Sequence, residues 1–274
     1  MNEENKEFSK EVVLDFWATN LHGDEIGIYD HKRRQAQTRS FTKDLDLVMR
    51  VKSPDEDGVI GIRKEPWNPS HPKDSLEYYM NKRLVLRWFK KTGGAKINLI
   101  GTIEELVLDS VRKTMISDDP LHSFRIILQD YPYVISLTKE HARLPGRLGE
   151  MWGFSLMTDK ENEKWEIFLL DEKRFTIGTD FDAKKDNIDQ VIVHIDEKIL
   201  NIGKKVKLTF HDKRLYEYRP FFETIVLFAS MFKYRKELRH KIKKARDLIN
   251  KSKEPVTIDS QEMKLMKNPR AIRR

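Results

Sequence analysis

The sequence predicts a mainly β fold, a β-rich α+β chain whose strands are followed by two helical segments of opposite character. Most of residues 10–210 consists of short runs of β-branched and aromatic residues separated by turn residues, which is typical of antiparallel strands. Residues 221–232 are apolar on almost every side of a helix, and such a helix must be buried. Residues 233–250 are strongly basic and amphipathic, which favours a negatively charged partner.

Strands are expected along the chain wherever apolar and β-branched residues form short runs. The predicted strands cover residues 12–20, 41–52, 83–91, 96–103, 123–131, 133–139, 152–158, 164–171, 174–181, 190–196, 198–202 and 205–212. Two segments interrupt this series. Residues 53–75 hold four of the ten prolines, which predicts a long loop or insertion. Residues 103–118 place Ile103, Leu106 and Val111 on one side, which predicts a short helix.

The pattern divides the chain into three parts. Residues 1–75 contain N-terminal strands and the Pro-rich insertion, and residues 76–232 form a β body that includes a core helix at 219–232. Residues 233–274 are interpreted as a basic helix followed by a flexible tail. The pattern alone leaves open whether residues 1–75 belong to the same domain as the body, and whether one continuous helix spans residues 219–250.

The composition predicts the cellular compartment. The chain contains no cysteine, so it can form neither a disulfide nor a thiolate metal site, and a reducing compartment suits it. The N-terminal residues are polar and lack the apolar run of a signal peptide. Apolar windows are also shorter than the roughly 20 residues of a membrane-spanning helix. We therefore expect a cytoplasmic protein that can bind a membrane from its surface.

Basic charge is concentrated at the C-terminal end of the chain. The formal net charge is +8, and residues 233–274 carry 15 Lys and Arg against 5 Asp and Glu. The preceding 232 residues are close to neutral. This distribution predicts one localised basic element rather than a surface that is basic throughout.

The order of the elements resembles that of the tubby C-terminal-like superfamily, which includes phospholipid scramblases and LURP-one-related proteins. Residues 164–178 (KWEIFLLDEKRFTIG) are similar to its repeated strand–Asp–turn–strand unit, and residues 190–214 resemble its last strand pair. Residues 219–232 (RPFFETIVLFASMF) stand where its hydrophobic helix would be. The resemblance covers roughly residues 80–232 and implies a closed or nearly closed antiparallel β-barrel around that helix. The basic residues that follow the helix depart from the family pattern.

Physical arguments favour the same arrangement. A closed barrel has no exposed sheet edges, and a wide barrel needs an apolar filling. The side chains expected to fill it are those of Phe221, Phe222, Ile225, Leu227, Phe228, Met231 and Phe232. The alternative is a β-sandwich or an open sheet with this helix packed across one face.

The basic helix is the main candidate for a binding element. Leu238, Ile242, Ala245 and Ile249 fall on one narrow stripe, beside and opposite the basic residues. The residues expected to contact an anionic surface are Arg235, Lys236, Arg239, Lys243, Lys244 and Arg246. This layout is typical of a helix that lies on anionic phospholipid. A nucleic acid is the alternative partner, and an ordinary surface helix with solvated charges is the simplest interpretation.

Other segments carry weaker signals, and we predict no catalytic residue, metal ligand or cofactor. The acidic segment 180–189 lacks the EF-hand pattern, which favours a polar turn. Residues 87–91 alternate basic and aromatic residues as a base-stacking platform would, although a core strand does the same. Trp67 could anchor a partner or fix its own loop to the body. An enzyme with a pocket in the β body is a third hypothesis.

Overall fold

A closed antiparallel barrel of twelve strands is seen in the computed structural model. The structure describes residues 8–16, 45–55, 57–91, 97–117, 119–140, 149–159, 161, 163–173, 178–198 and 205–252. The strands are β1 (Lys10–Phe16), β2 (Leu45–Lys52), β3 (Asp57–Arg63), β4 (Val85–Lys91), β5 (Ile97–Glu105), β6 (Ser123–Leu128), β7 (Ile135–Glu140), β8 (Met151–Asp159), β9 (Lys164–Glu172), β10 (Gly178–Lys185), β11 (Val191–Lys198) and β12 (Lys205–Phe210).

The barrel is a meander in which each strand pairs with its neighbours in sequence, and the last strand pairs with the first. Lys10 lies opposite Phe210 in the β1–β12 pair, which closes the sheet. Because every pair is antiparallel, all odd-numbered strands run toward one end of the barrel, which we call the far end. Even-numbered strands run toward the opposite, near end. This closure confirms the predicted barrel, and the sandwich or open-sheet alternative is wrong.

The helices are α1 (Lys64–Trp67), α2 (Leu76–Asn81), α3 (Val107–Met115), α4 (Lys213–Glu217), α5 (Arg219–Ser230) and α6 (Arg235–Ser252). A short 3₁₀ turn, Met231–Tyr234, joins α5 to α6, so the two helices are consecutive but separated by a change of helical geometry. Because β12 ends at the near end, α5 enters the barrel there and leaves at the far end.

Helix α5 fills the barrel and contacts several of its walls. All seven side chains predicted to form the core helix are buried. The Phe221 ring lies 4.8 Å from Phe168 of β9, and the Phe228 ring lies 5.4 Å from Phe181 of β10. Phe222 faces another wall, with its ring 6.0 Å from that of Trp88 in β4. Burial on every side explains why the helix has no polar face.

Two local predictions need correction. Residues 53–75 are not a loop, because they contain β3 and α1. The prolines flank β3 and leave its apolar residues 59–62 free to pair with β2 and β4. Strand β5 extends to Glu105, so the predicted helix begins only at Val107. The described strands of residues 1–75 thus belong to the same barrel as the body. The tail, 253–274, and the predicted strand residues 17–20, 41–44, 96, 174–177 and 199–202 lie outside the described residues.

Candidate functional site

Helix α6 lies across the far end of the barrel, against α2 and α3. Its buried residues Ile242, Ala245 and Ile249 form one apolar cluster with Val107 and Val111 of α3. Leu238, one turn earlier, joins the main barrel core. These four residues are the stripe that the sequence predicts, so the helix is docked along its whole length with its opposite face toward solvent.

The first turn of α6 is held by carboxylates at the ends of two strands. Arg235 places Nη2 2.6 Å from Oε1 of Glu172, the last residue of β9, and 3.2 Å from Oε2 of Glu150, next to β8. Lys139 Nζ lies 2.9 Å from Glu150 Oε1, and Arg239 lies 3.6 Å from the same oxygen. Burial alone would raise the pKa of Glu150, but the positive charges of Arg235, Lys139 and Arg239 outweigh burial and lower it to about 2.

A second attachment lies in the middle of α6. Lys241 is buried, and its ammonium donates to a carboxylate oxygen of Glu105 and to the carbonyl oxygen of Lys82, the latter at 2.8 Å. Burial lowers the pKa of Lys241, although Glu105 acts in the opposite direction. Lys82 in turn forms a 2.5 Å ion pair with Glu237. The helix is therefore fixed to the barrel by charged contacts as well as by apolar packing.

Trp67 belongs to this same contact region. Its ring lies 5.2 Å from that of Tyr234, and the Lys82 ammonium sits 4.4 Å above it. These distances fit a cation–π contact inside the protein. Trp67 thus fixes α1 to the body, which is the simpler of its two predicted roles.

A small cavity lies where α5 leaves the barrel. It is lined mainly by apolar side chains, with Glu150, Arg235 and His122 as its polar groups. Its volume of about 20 Å³ is enough for roughly one water molecule. The His122 ring is buried and stacks on Trp152 at 6.2 Å, and neither ring nitrogen has a hydrogen-bond partner among the described residues. Only a water-sized molecule fits this space as it stands.

The solvent face of α6 is lined by lysines. Lys236, Lys243, Lys244 and Lys251 are exposed, and none forms an ion pair with any residue that the structure describes. We call these four residues the lysine face. Lys236, the adjacent pair Lys243 and Lys244, and Lys251 follow one another at seven- or eight-residue steps, about 11 Å apart at the rise of an α-helix. The exposed Asp247 lies on the same side of the helix and pairs with Arg246 at 3.5 Å, so this face carries a net positive charge that points away from the barrel.

The six basic residues predicted to bind an anionic surface divide into two groups. Lys236, Lys243 and Lys244 belong to the lysine face. Arg235 and Arg239 contact Glu150 instead, and Arg246 donates to the carbonyl oxygen of Ser117 at 3.1 Å. The predicted set does not include Lys251, although its position seven residues after Lys244 places it on the same side of the helix.

The remaining candidates lie within ordinary structural contacts. Trp88 points into the barrel and Phe89 is buried outside it against Leu47 and Val59, so neither ring is available to stack on a base. The acidic segment 180–189 forms the end of β10 and a turn, and Asp182 pairs with His194 at 2.9 Å. Within the described ranges, no group of three or more His, Asp or Glu residues is arranged to hold a metal ion.

Comparisons of the chain with protein-family models, with curated proteins and with solved structures gave no match. Among the helices that the structure describes, none combines the length and apolar character needed to cross a bilayer.

Proposed function

We propose that the protein is a non-enzymatic β-barrel module that binds anionic phospholipid membranes through the lysine face of α6. The observation that carries this proposal is the set of four exposed lysines that form no ion pair with any described residue. Each basic residue near an anionic membrane contributes about 1 kcal/mol of attraction. Four such charges on one side of a docked helix suit a flat, extended anionic partner.

The division between arginine and lysine supports a membrane over a nucleic acid. Arginine recognises phosphates through paired hydrogen bonds, whereas lysine acts as a hydrated point charge. The arginines of α6 are Arg235, Arg239 and Arg246, and all three contact groups within the protein. The outward charge is therefore carried by lysine, which suits diffuse attraction to headgroups. The nucleic-acid hypothesis lacks a base-stacking surface at Trp88 and Phe89.

The attachment of α6 also supports the proposal. Its buried stripe and its contacts to Glu150, Glu172 and Glu105 hold the helix in place before any partner is bound. No ordering of the helix is then needed on binding, which lowers the entropic cost of association. The resemblance to the tubby C-terminal-like superfamily, with its membrane-active members, favours the same function. The lack of cysteine in this protein suits a cytoplasmic location.

Vesicle flotation tests the proposal. The unmodified chain is expected to float with mixed phosphatidylcholine–phosphatidylserine vesicles and not with phosphatidylcholine alone. Replacing Lys236, Lys243 and Lys244 together by Gln should weaken binding about 100-fold. Each lysine contributes about 1 kcal/mol of attraction, and a total loss of about 3 kcal/mol corresponds to about a 100-fold change in affinity. Binding should also decrease as salt increases, because exposed charges are screened.

The matched control neutralises three exposed lysines at the near end of the barrel, Lys52, Lys164 and Lys213. It changes the net charge by the same amount and should leave binding nearly unaltered. Equal losses in both triple variants would show that net charge, and not the lysine face, drives association. Binding that is abolished by competing DNA would favour the nucleic-acid hypothesis instead.

A further inference from the structure

Two large apolar side chains are exposed at the end of α3. Met115 is 42% exposed and Ile116 is 82% exposed. Adjacent apolar side chains in water gain free energy when a partner covers them. Ile116 is the more exposed of the two, and α3 itself is packed against α6. These two residues are called the apolar tip.

The backbone of the apolar tip is held in place. The Ser117 amide donates to the carbonyl oxygen of Thr114 at 3.2 Å, and the Thr114 hydroxyl accepts from the Leu121 amide at 2.9 Å. Arg246 of α6 donates to the carbonyl oxygen of Ser117 at 3.1 Å. The tip is thus fixed to α6 through Arg246, which lies three residues after Lys243 of the lysine face.

Other exposed apolar side chains lie elsewhere. Tyr133, Trp165, Ile167 and Ile188 are all at the near end, just before β7, in the first half of β9 or in the turn after β10. Tyr133 and Trp165 already contact each other, with ring centroids 5.1 Å apart. The far end therefore carries both exposed aliphatic groups and the lysine face, a combination that suits the boundary between headgroups and acyl chains.

We propose that the apolar tip inserts into the interfacial layer of an anionic phospholipid bilayer while the lysine face rests on the headgroups. This inference rests on the proposed function and adds the orientation of the bound protein, with the far end of the barrel toward the membrane. The two contributions differ in character. Attraction by the lysine face is weakened by salt, whereas burial of Met115 and Ile116 is not weakened by charge screening.

A single-cysteine label tests the insertion directly. Since the chain has no cysteine of its own, Ile116→Cys carries one environment-sensitive fluorophore, and Ile167→Cys carries the same label at the near end. Ile167 is 50% exposed, which makes it a matched position. With phosphatidylcholine–phosphatidylserine vesicles, the emission of the label at 116 should shift to the blue, and the emission of the label at 167 should not.

The affinity of tip variants for vesicles provides a second test of insertion. The double variant Met115→Ser and Ile116→Ser should bind the same vesicles at least tenfold more weakly, with the salt dependence unchanged, while Ile167→Ser should bind normally. Vesicle binding without a blue shift at position 116 would overturn insertion and leave the proposed function standing. Failure of the unmodified chain to bind anionic vesicles would overturn both. An equal shift at both positions would contradict the proposed orientation.

Discussion

At the scale of single residues, His122 is a buried side chain whose capacity for hydrogen bonding is unused. Its ring nitrogens lack hydrogen-bond partners among the described residues, and leaving a buried polar group unpaired costs about 1–3 kcal/mol. Burial, followed by the positive charges of Lys139 and Lys241, lowers its pKa from 6.5 to about 3. The ring is therefore neutral at physiological pH.

Replacing His122 by Phe should stabilise the protein by about 1 kcal/mol near neutral pH, because the unpaired nitrogens are removed while stacking on Trp152 is kept. It should also reduce the pH dependence of stability. The unfolded chain binds a proton at His122 below pH 6.5, whereas the folded protein binds one only near pH 3. Stability of the unmodified protein therefore falls as the pH decreases through this interval.

Urea unfolding between pH 6.5 and 4.5 is the appropriate measurement. The depressed pKa of Glu150 gives stability that is present above pH 4.5 and lost toward pH 2. Its contribution thus stays nearly constant in the chosen window. An identical pH slope in the unmodified protein and in His122→Phe would contradict a buried neutral imidazole.

At the scale of elements, the fit of α5 inside the barrel depends on a glycine in β5. A Cβ atom added at Gly101 would lie 2.7 Å from Leu128 Cδ2 and 3.2 Å from both Leu227 Cδ1 and the Ile127 carbonyl oxygen. Leu227 belongs to α5, so the side chain would push against the central helix. The backbone oxygen cannot move aside without disturbing the β5–β6 pairing.

Gly101→Ala is therefore expected to destabilise the protein by about 1–3 kcal/mol, the usual range for overpacking a core. Gly153 in β8 is the matched control, since a Cβ there would meet its nearest atom, Leu169 Cδ2, at 3.7 Å. Gly153→Ala should be neutral or slightly stabilising, because alanine restricts the unfolded chain. Thermal unfolding followed by circular dichroism compares the two. Equal melting temperatures would show that β5 and α5 are not tightly packed at this point.

The individual helices and strands also show how much of the fold the sequence predicts. The all-round apolar character of residues 221–232 requires burial, which correctly predicts a helix at the centre. The sequence does not predict strand β3, because its apolar and Gly residues, 58–62, form a run of only five within a Pro-rich segment. The helical wheel predicts the buried stripe of α6. It cannot show that Arg235 and Arg239 meet Glu150, since this carboxylate lies some 85 residues earlier in the chain.

At the scale of the whole molecule, the barrel and the layer formed by α2, α3 and α6 have separate apolar clusters. Lys241 and Glu105 join them, because Glu105 ends β5 and Lys241 lies in the middle of α6. The same Glu105 oxygen also accepts from the Leu84 amide at 3.0 Å. A buried ion pair of this kind contributes little net stability when intact, yet removing one partner leaves an uncompensated buried charge.

Lys241→Met is accordingly expected to destabilise the protein by about 3–5 kcal/mol. The double variant Lys241→Met and Glu105→Gln should recover most of this loss, since a neutral amide oxygen still accepts from Leu84 and neither position then carries an unpaired charge. Lys236→Met is the control on the exposed side of the same helix and should change stability by less than about 0.5 kcal/mol. Denaturant unfolding at neutral pH measures all three. If Lys241→Met lowers the free energy of unfolding no more than Lys236→Met does, the Lys241–Glu105 ion pair does not hold α6 on the barrel. Apolar packing alone would then keep the lysine face in position.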